Sequence, residues 1–166
     1  MTDYQPGDVI FAHANHDFIG RAIQFAEWVR WRHGSKWNHA AIIVDVAPGK
    51  VQIVQAESEG VTCKWFDSPE DISPNGIVEV VPCPAQDRKK AVEFAKAQVS
   101  DPYGFVTIAS IALSIIAPWF LTVRVPGTWV CSALVGECLR AGGWIHDWPD
   151  VYMVSPAQLY AAVQSH

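Results

Sequence analysis

WNHAAIIVDVAPGKVQIVQAE, residues 37–57, decides the fold. Within it HAAIIVDV (39–46) and KVQIVQAE (50–57) are short runs rich in β-branched residues, and Ala47-Pro48-Gly49 between them is a turn signal. The pair reads as a β-hairpin. Working outward, Pro6-Gly7 is a turn feeding a strand in PGDVIFAH (6–13), and GIVEVVPC (76–83) is a further strand closed by Pro82. Four segments have helical spacing instead. In residues 17–32, Phe18, Ala22, Phe25 and Val29 form an apolar stripe behind Asp17 as N-cap. Residues 86–99 bring Val92, Phe94, Ala95 and Val99 to one side. CSALVGECLRAGG (131–143) carries apolar residues at 131, 134, 135, 138 and 139 and stops at Gly142-Gly143. SPAQLYAAVQ (155–164) has Ser155 as its cap and Pro156 at its first position. Strands and helices in this order make an α+β domain.

With 166 residues the chain, 1–166, is expected to be a single domain. Half of it is apolar and 17% charged, which excludes a disordered protein. A net charge of −5 argues against a nucleic-acid binder that relies on bulk positive charge. Four cysteines, at 63, 83, 131 and 138, contain no CxxC, so neither a disulfide scaffold nor a zinc ribbon is expected. The opening MTDYQPGDVIF has no basic region followed by an apolar run, and the expected location is the cytoplasm. One segment stands apart. Residues 102–123 hold no charge, and a helix of that length would run about 33 Å, close to the hydrocarbon thickness of a bilayer. Thr107, Ser110, Ser114 and Pro118 dilute it toward a shorter buried helix, with peripheral membrane contact through 104–121 as the alternative.

The chemistry rests on address rather than on residue type. Cys131 sits where Thr128-Trp129-Val130 passes into a helix, so its sulfur lies beside unpaired N–H groups that can lower a thiol pKa and bind an oxyanion. The competing reading makes it the first small apolar residue of the stripe, as Cys138 is one heptad on. His39 opens a strand, which would hold its imidazole rigidly for a Cys–His pair; the competing reading is a histidine satisfied at a sheet edge. On the neighbouring strand, period-2 alternation puts Gln55 and Glu57 on one face, and either can accept an imidazole N–H and fix the tautomer. Trp37 and Trp129 flank the pair and either wall a substrate groove or pack in the core. His13 and His16 lack further ligands at metal spacing, so no metal is expected. Arg21, Arg30, Arg32 and Lys36 against Glu27 read as a solvated helix face.

Taken in order, PGDVIF, an amphipathic helix, WNHAAIIV, VQAESEGV, WVCSALVGECLRAGG and VSPAQLY resemble the circularly permuted papain-like proteins. This is the NlpC-related group that includes the YiiX and YaeF types and the lecithin retinol acyltransferases. The resemblance runs from Pro6 to about Tyr160. It implies a small antiparallel β-sheet packed against helices, with the histidine ahead of the cysteine in the chain. By it His39 is the base and Cys131, followed by Ser132, the nucleophile. The third polar position, often a Glu before Ala, falls on Gln55, a departure that leaves Glu57 as the alternative. Tyr103 in DPYGF matches a family tyrosine that would contact substrate or oxyanion. The implied activity is a thiol hydrolase or acyltransferase acting on a peptidoglycan-type amide, an isopeptide or a lipid acyl group, without cofactor. Its partners would be a small-molecule, peptide or lipid substrate and no nucleic acid. A binding module of the same fold, inactive and docked on a membrane or protein, is the alternative, and a small integral membrane protein is a third reading.

Overall fold

The computed structural model describes residues 4–13, 36–104, 128–148 and 150–165. After the Pro6-Gly7 turn, β1 (Val9–His13) pairs antiparallel with β2 (His39–Ala47), setting Ala12 opposite His39. Gly7 has φ of +97°, where a Cβ is unfavourable, and donates its N–H to the Ile43 carbonyl at 2.7 Å. Pro48 and Gly49 (φ +73°) return the chain into β3 (Lys50–Glu57), so the hairpin expected from residues 39–57 is present, with a bulge between Ile43 and Asp45. β4 (Gly60–Phe66) and β5 (Ile77–Val81) complete a five-stranded antiparallel sheet of order β4-β3-β2-β1-β5.

β4 was not expected from the sequence. Its residues GVTCKWF lack a clean apolar alternation because the strand lies at the sheet edge, where Lys64 and a Trp65 that is 46% exposed meet solvent. By contrast, β1 and β2 read as continuous apolar runs because both faces are covered. Val9, Phe11, Ala40, Ile42, Val44, Val54 and Ala56 face the helices, whereas Ile10, Ala41, Ile43, Val51 and Ile53 face a smaller cluster with Tyr4, Phe66 and Ile72.

Three described helices follow: α1 (Arg88–Ala97), α2 (Cys131–Ala141) and α3 (Pro156–Gln164). Asp87 caps α1 by accepting the Lys90 N–H at 3.1 Å. Ser155 and Gln158 form a reciprocal capping box on α3, with Pro156 first in the helix. α2 is the central helix. It packs against β2, α1 and α3, and Leu134, Val135, Cys138 and Leu139 are all fully buried. Two single-turn 3-10 helices, Pro69–Ile72 and Val151–Met153, close the remaining faces. The expected helix over 17–32, with Asp17, His16 and the arginines, lies outside the described residues, as does the uncharged segment beyond Gly104. Among the described residues no helix is long and apolar enough to cross a membrane.

One ion pair ties the first turn to α1. The Arg88 guanidinium donates to Asp8 Oδ1 at 2.6 Å, and the same carboxylate accepts the N–H groups of Gln5 (2.9 Å) and Cys83 (3.2 Å). Asp8 is 6% exposed. Asp8→Ala leaves three donors short of an acceptor, and an expected loss of about 2–4 kcal/mol should appear as a lower urea midpoint. Asp8→Asn, which keeps an acceptor, should lose less.

Candidate active site

The β2–β3 register places the first polar pair. Ala41 lies opposite Gln55, so Gln55 is the diagonal neighbour of His39. The imidazole Nε2–H donates to Gln55 Oε1 at 2.8 Å. Gln55 is 4% exposed, so its amide is held in a fixed direction among packed residues. With Nε2 committed, Nδ1 is the ring nitrogen left for another partner.

The electrostatics of the buried ring point to Cys131, the first residue of α2: its side chain and that of His39 interact, and the backbones of Ala40 and Ser132 also act to lower the thiol. Val130, in extended conformation (φ −103°, ψ 147°), precedes the helix and gives it no side-chain cap. The first-turn N–H groups are therefore not consumed by a capping side chain. Ser132 pins this turn from the other side, its Oγ–H donating to the Val154 carbonyl at 2.6 Å.

The charges follow from the contacts. Burial opposes a positive His39, but the Cys131 hydrogen bond and charge, the Gln55 bond and the nearby Glu57 carboxylate carry it up to about 9. Burial equally opposes a thiolate at Cys131; the hydrogen bond and charge of His39, with the Ala40 and Ser132 backbones, outweigh it and bring the thiol below its ordinary value. Each partner favours the ionised form of the other, so the thiol is displaced downward and the imidazole upward together. The other cysteines differ. Burial raises Cys63 and Cys83, and drives Cys138, on the same helix, far up. Of the four, Cys131 alone is shifted downward.

Glu57, the alternative orienting residue, is engaged elsewhere: its Oε2 accepts from Thr62 Oγ1 at 2.9 Å and Lys64 Nζ at 3.0 Å. Its influence on His39 is through charge alone. Trp37 is 2% exposed and its ring lies 5.1 Å from Tyr160 and 6.3 Å from Phe11. Trp129, 6% exposed, is stacked on Tyr152 at 5.7 Å and edge-on to Phe94 at 6.0 Å. Both rings are packed into the core. Tyr103 is buried too and bridges to Trp129 through the backbone. His13 Nδ1 bonds to the Lys36 carbonyl at 3.0 Å. Among the described residues no group of three or more His, Cys, Asp and Glu side chains is placed to hold a metal ion.

Sequence reasoning missed the contacts that fix the site from behind, the Ser132–Val154 bond and a link from Asp101 to Trp129. No local pattern signals either, because each joins residues more than twenty positions apart. A separate cavity of about 290 Å³, lined by Glu137, Arg140, Trp148 and Asp150 among others, lies along the second half of α2 and shares no residue with the Cys131–His39–Gln55 cluster. No protein-family model matches this chain, and neither does any curated protein.

Proposed function

We propose that the chain is a cysteine hydrolase or acyltransferase, of the permuted papain-like kind that its motif order resembles. What supports this reading is the interaction between the His39 and Cys131 side chains, which lowers the thiol at the start of a helix with no side-chain cap, together with the Gln55 bond that orients the ring.

The chemistry follows from the charges. The Cys131 thiolate attacks a carbonyl carbon, the π electrons move onto oxygen, and first-turn N–H groups of α2 stabilise that oxyanion. Collapse of the tetrahedral intermediate expels an amine or alcohol, which takes its proton from the His39 imidazolium. A thioester on Cys131 remains. Neutral His39 then removes a proton from water or another acceptor, which attacks the thioester and returns the thiolate beside an imidazolium. Gln55 holds the ring through Nε2 so that Nδ1 serves in each transfer. An amide there orients without adding a full charge.

The substrate is a peptide or amide bond, an isopeptide or a lipid acyl group. The uncharged 102–123 segment, lying between the two site residues in the chain, favours a hydrophobic acyl chain. Intact mass spectrometry after incubation with a panel of acyl thioesters, p-nitrophenyl esters and peptidyl amides tests the proposal. A mass increase equal to one acyl group, mapped by peptide digestion to Cys131, is the expected result. Acylation mapped to Cys63 or Cys83, or none with any donor, would refute it.

A further inference from the structure

We infer that Asp101 is a positioning residue for Cys131, acting through Trp129; the inference rests on the thiol chemistry proposed above. The site is assembled from two halves, with His39 and Gln55 on the sheet and Cys131 on a helix that starts ninety-odd residues later. A hydrogen bond between imidazole and sulfur tolerates displacements of a few tenths of an ångström, so the separation of the halves must be fixed from outside the pair.

Trp129, two residues before the thiol, is held by three hydrogen bonds. Its indole Nε1–H donates to Asp101 Oδ2 at 2.9 Å, its backbone N–H donates to the Pro102 carbonyl at 3.1 Å, and its carbonyl accepts the Gly104 N–H at 2.9 Å. Packing of the ring on Tyr152 and Phe94 sets the direction of the indole N–H. Asp101 is itself anchored to the sheet. Its carbonyl accepts the Val61 N–H at 2.8 Å while the Ser100 N–H donates to the Val61 carbonyl at 2.9 Å. Val61 is paired with Ala56, the residue after Gln55.

A continuous path therefore runs from the orienting amide through β3, β4 and Asp101 to Trp129 and the sulfur. The turn that carries Asp101 presses closely on the sheet. A Cβ at Gly60 would lie 2.6 Å from the Asp101 carbonyl oxygen, and Gly60 also has φ of +115°. Ser100 adopts φ of +80°, a strained conformation for a residue with a side chain, which the two bonds to Val61 help to hold in place.

The test is the rate of Cys131 alkylation by iodoacetamide against pH in the full chain, comparing the parent with Asp101→Ala, Asp101→Asn and Trp129→Phe. Asp101→Ala keeps the backbone bonds to Val61 and removes the carboxylate. Trp129→Phe keeps an aromatic ring and removes the donor, so it decides the matter if the alanine variant does not fold. Both are expected to lose about tenfold in rate at pH 6, as a one-unit displacement of the profile to higher pH would give. Asp101→Asn, whose amide oxygen still accepts the indole N–H, should retain the parental profile. Unchanged profiles in Asp101→Ala and Trp129→Phe would overturn the inference, as would an Asn variant damaged as much as the Ala variant. A parent whose Cys131 reacts at pH 6 no faster than an ordinary thiol would instead refute the thiol chemistry, and this inference with it.

Discussion

On the proposed mechanism, Cys131→Ala is expected to abolish turnover of any acyl donor accepted by the parent and to remove the covalent adduct. Members of a nucleophile–base pair act as a unit, so the expected fall in kcat is on the order of 10⁶, below detection in most assays. The fold should survive. Cys131 is 1% exposed, and alanine keeps its Cβ while leaving a void about the size of one sulfur atom, costing on the order of 1 kcal/mol. His39 then loses the strongest of the influences that raise it, leaving the Gln55 bond and the Glu57 charge against burial. Circular dichroism matching the parent, together with absent turnover, is the expected pairing. Turnover that persists in Cys131→Ala would place the chemistry at another residue.

His39→Ala carries the second large effect. Without the imidazolium, burial dominates at Cys131 and pushes its titration above the ordinary thiol range. Each unit by which the parent's titration lies below the variant's is worth tenfold in thiolate at low pH, so alkylation at pH 6 should fall by about tenfold or more. The two profiles also differ in shape. In the parent, labelling should persist to lower pH than for an ordinary thiol. In His39→Ala it rises tenfold per pH unit across the same range. Turnover by the parent should have an additional alkaline limb near pH 9, where His39 loses the proton that the leaving group needs. Alkylation has no such limb, since the thiolate persists. A His39→Ala protein labelled as fast as the parent at pH 6 would refute the pairing.

The hairpin, α2 and α3 were legible in the sequence because their signals are local. Pro48-Gly49 marks a turn, Ser155-Pro156 marks a helix start, and Gly142-Gly143 marks a helix end. β4 was illegible for a physical reason: an edge strand has few buried positions to enforce alternation, and Thr62, Lys64 and Trp65 follow solvent rather than the core. Period-2 spacing narrowed the orienting residue to Gln55 or Glu57 and could go no further, since both lie on one face of β3. Glu57 is drawn to Thr62 and Lys64 on β4, the strand that the sequence did not announce. Trp37 and Trp129 illustrate the opposite limit. Adjacency in sequence to His39 and Cys131 left groove wall and core packing as equal alternatives, and contacts with distant aromatics, which no local pattern carries, pack both rings inward.

Because His39 opens the second strand and Cys131 begins a helix 92 positions later, the imidazole is synthesised well before the thiol it interacts with. At roughly 5–20 residues per second, a ribosome needs on the order of ten seconds to extend the nascent chain from one to the other. A polypeptide arrested in that interval holds Cys63 and Cys83 but not the thiol that interacts with His39, so the pair can form only after Cys131 has been added.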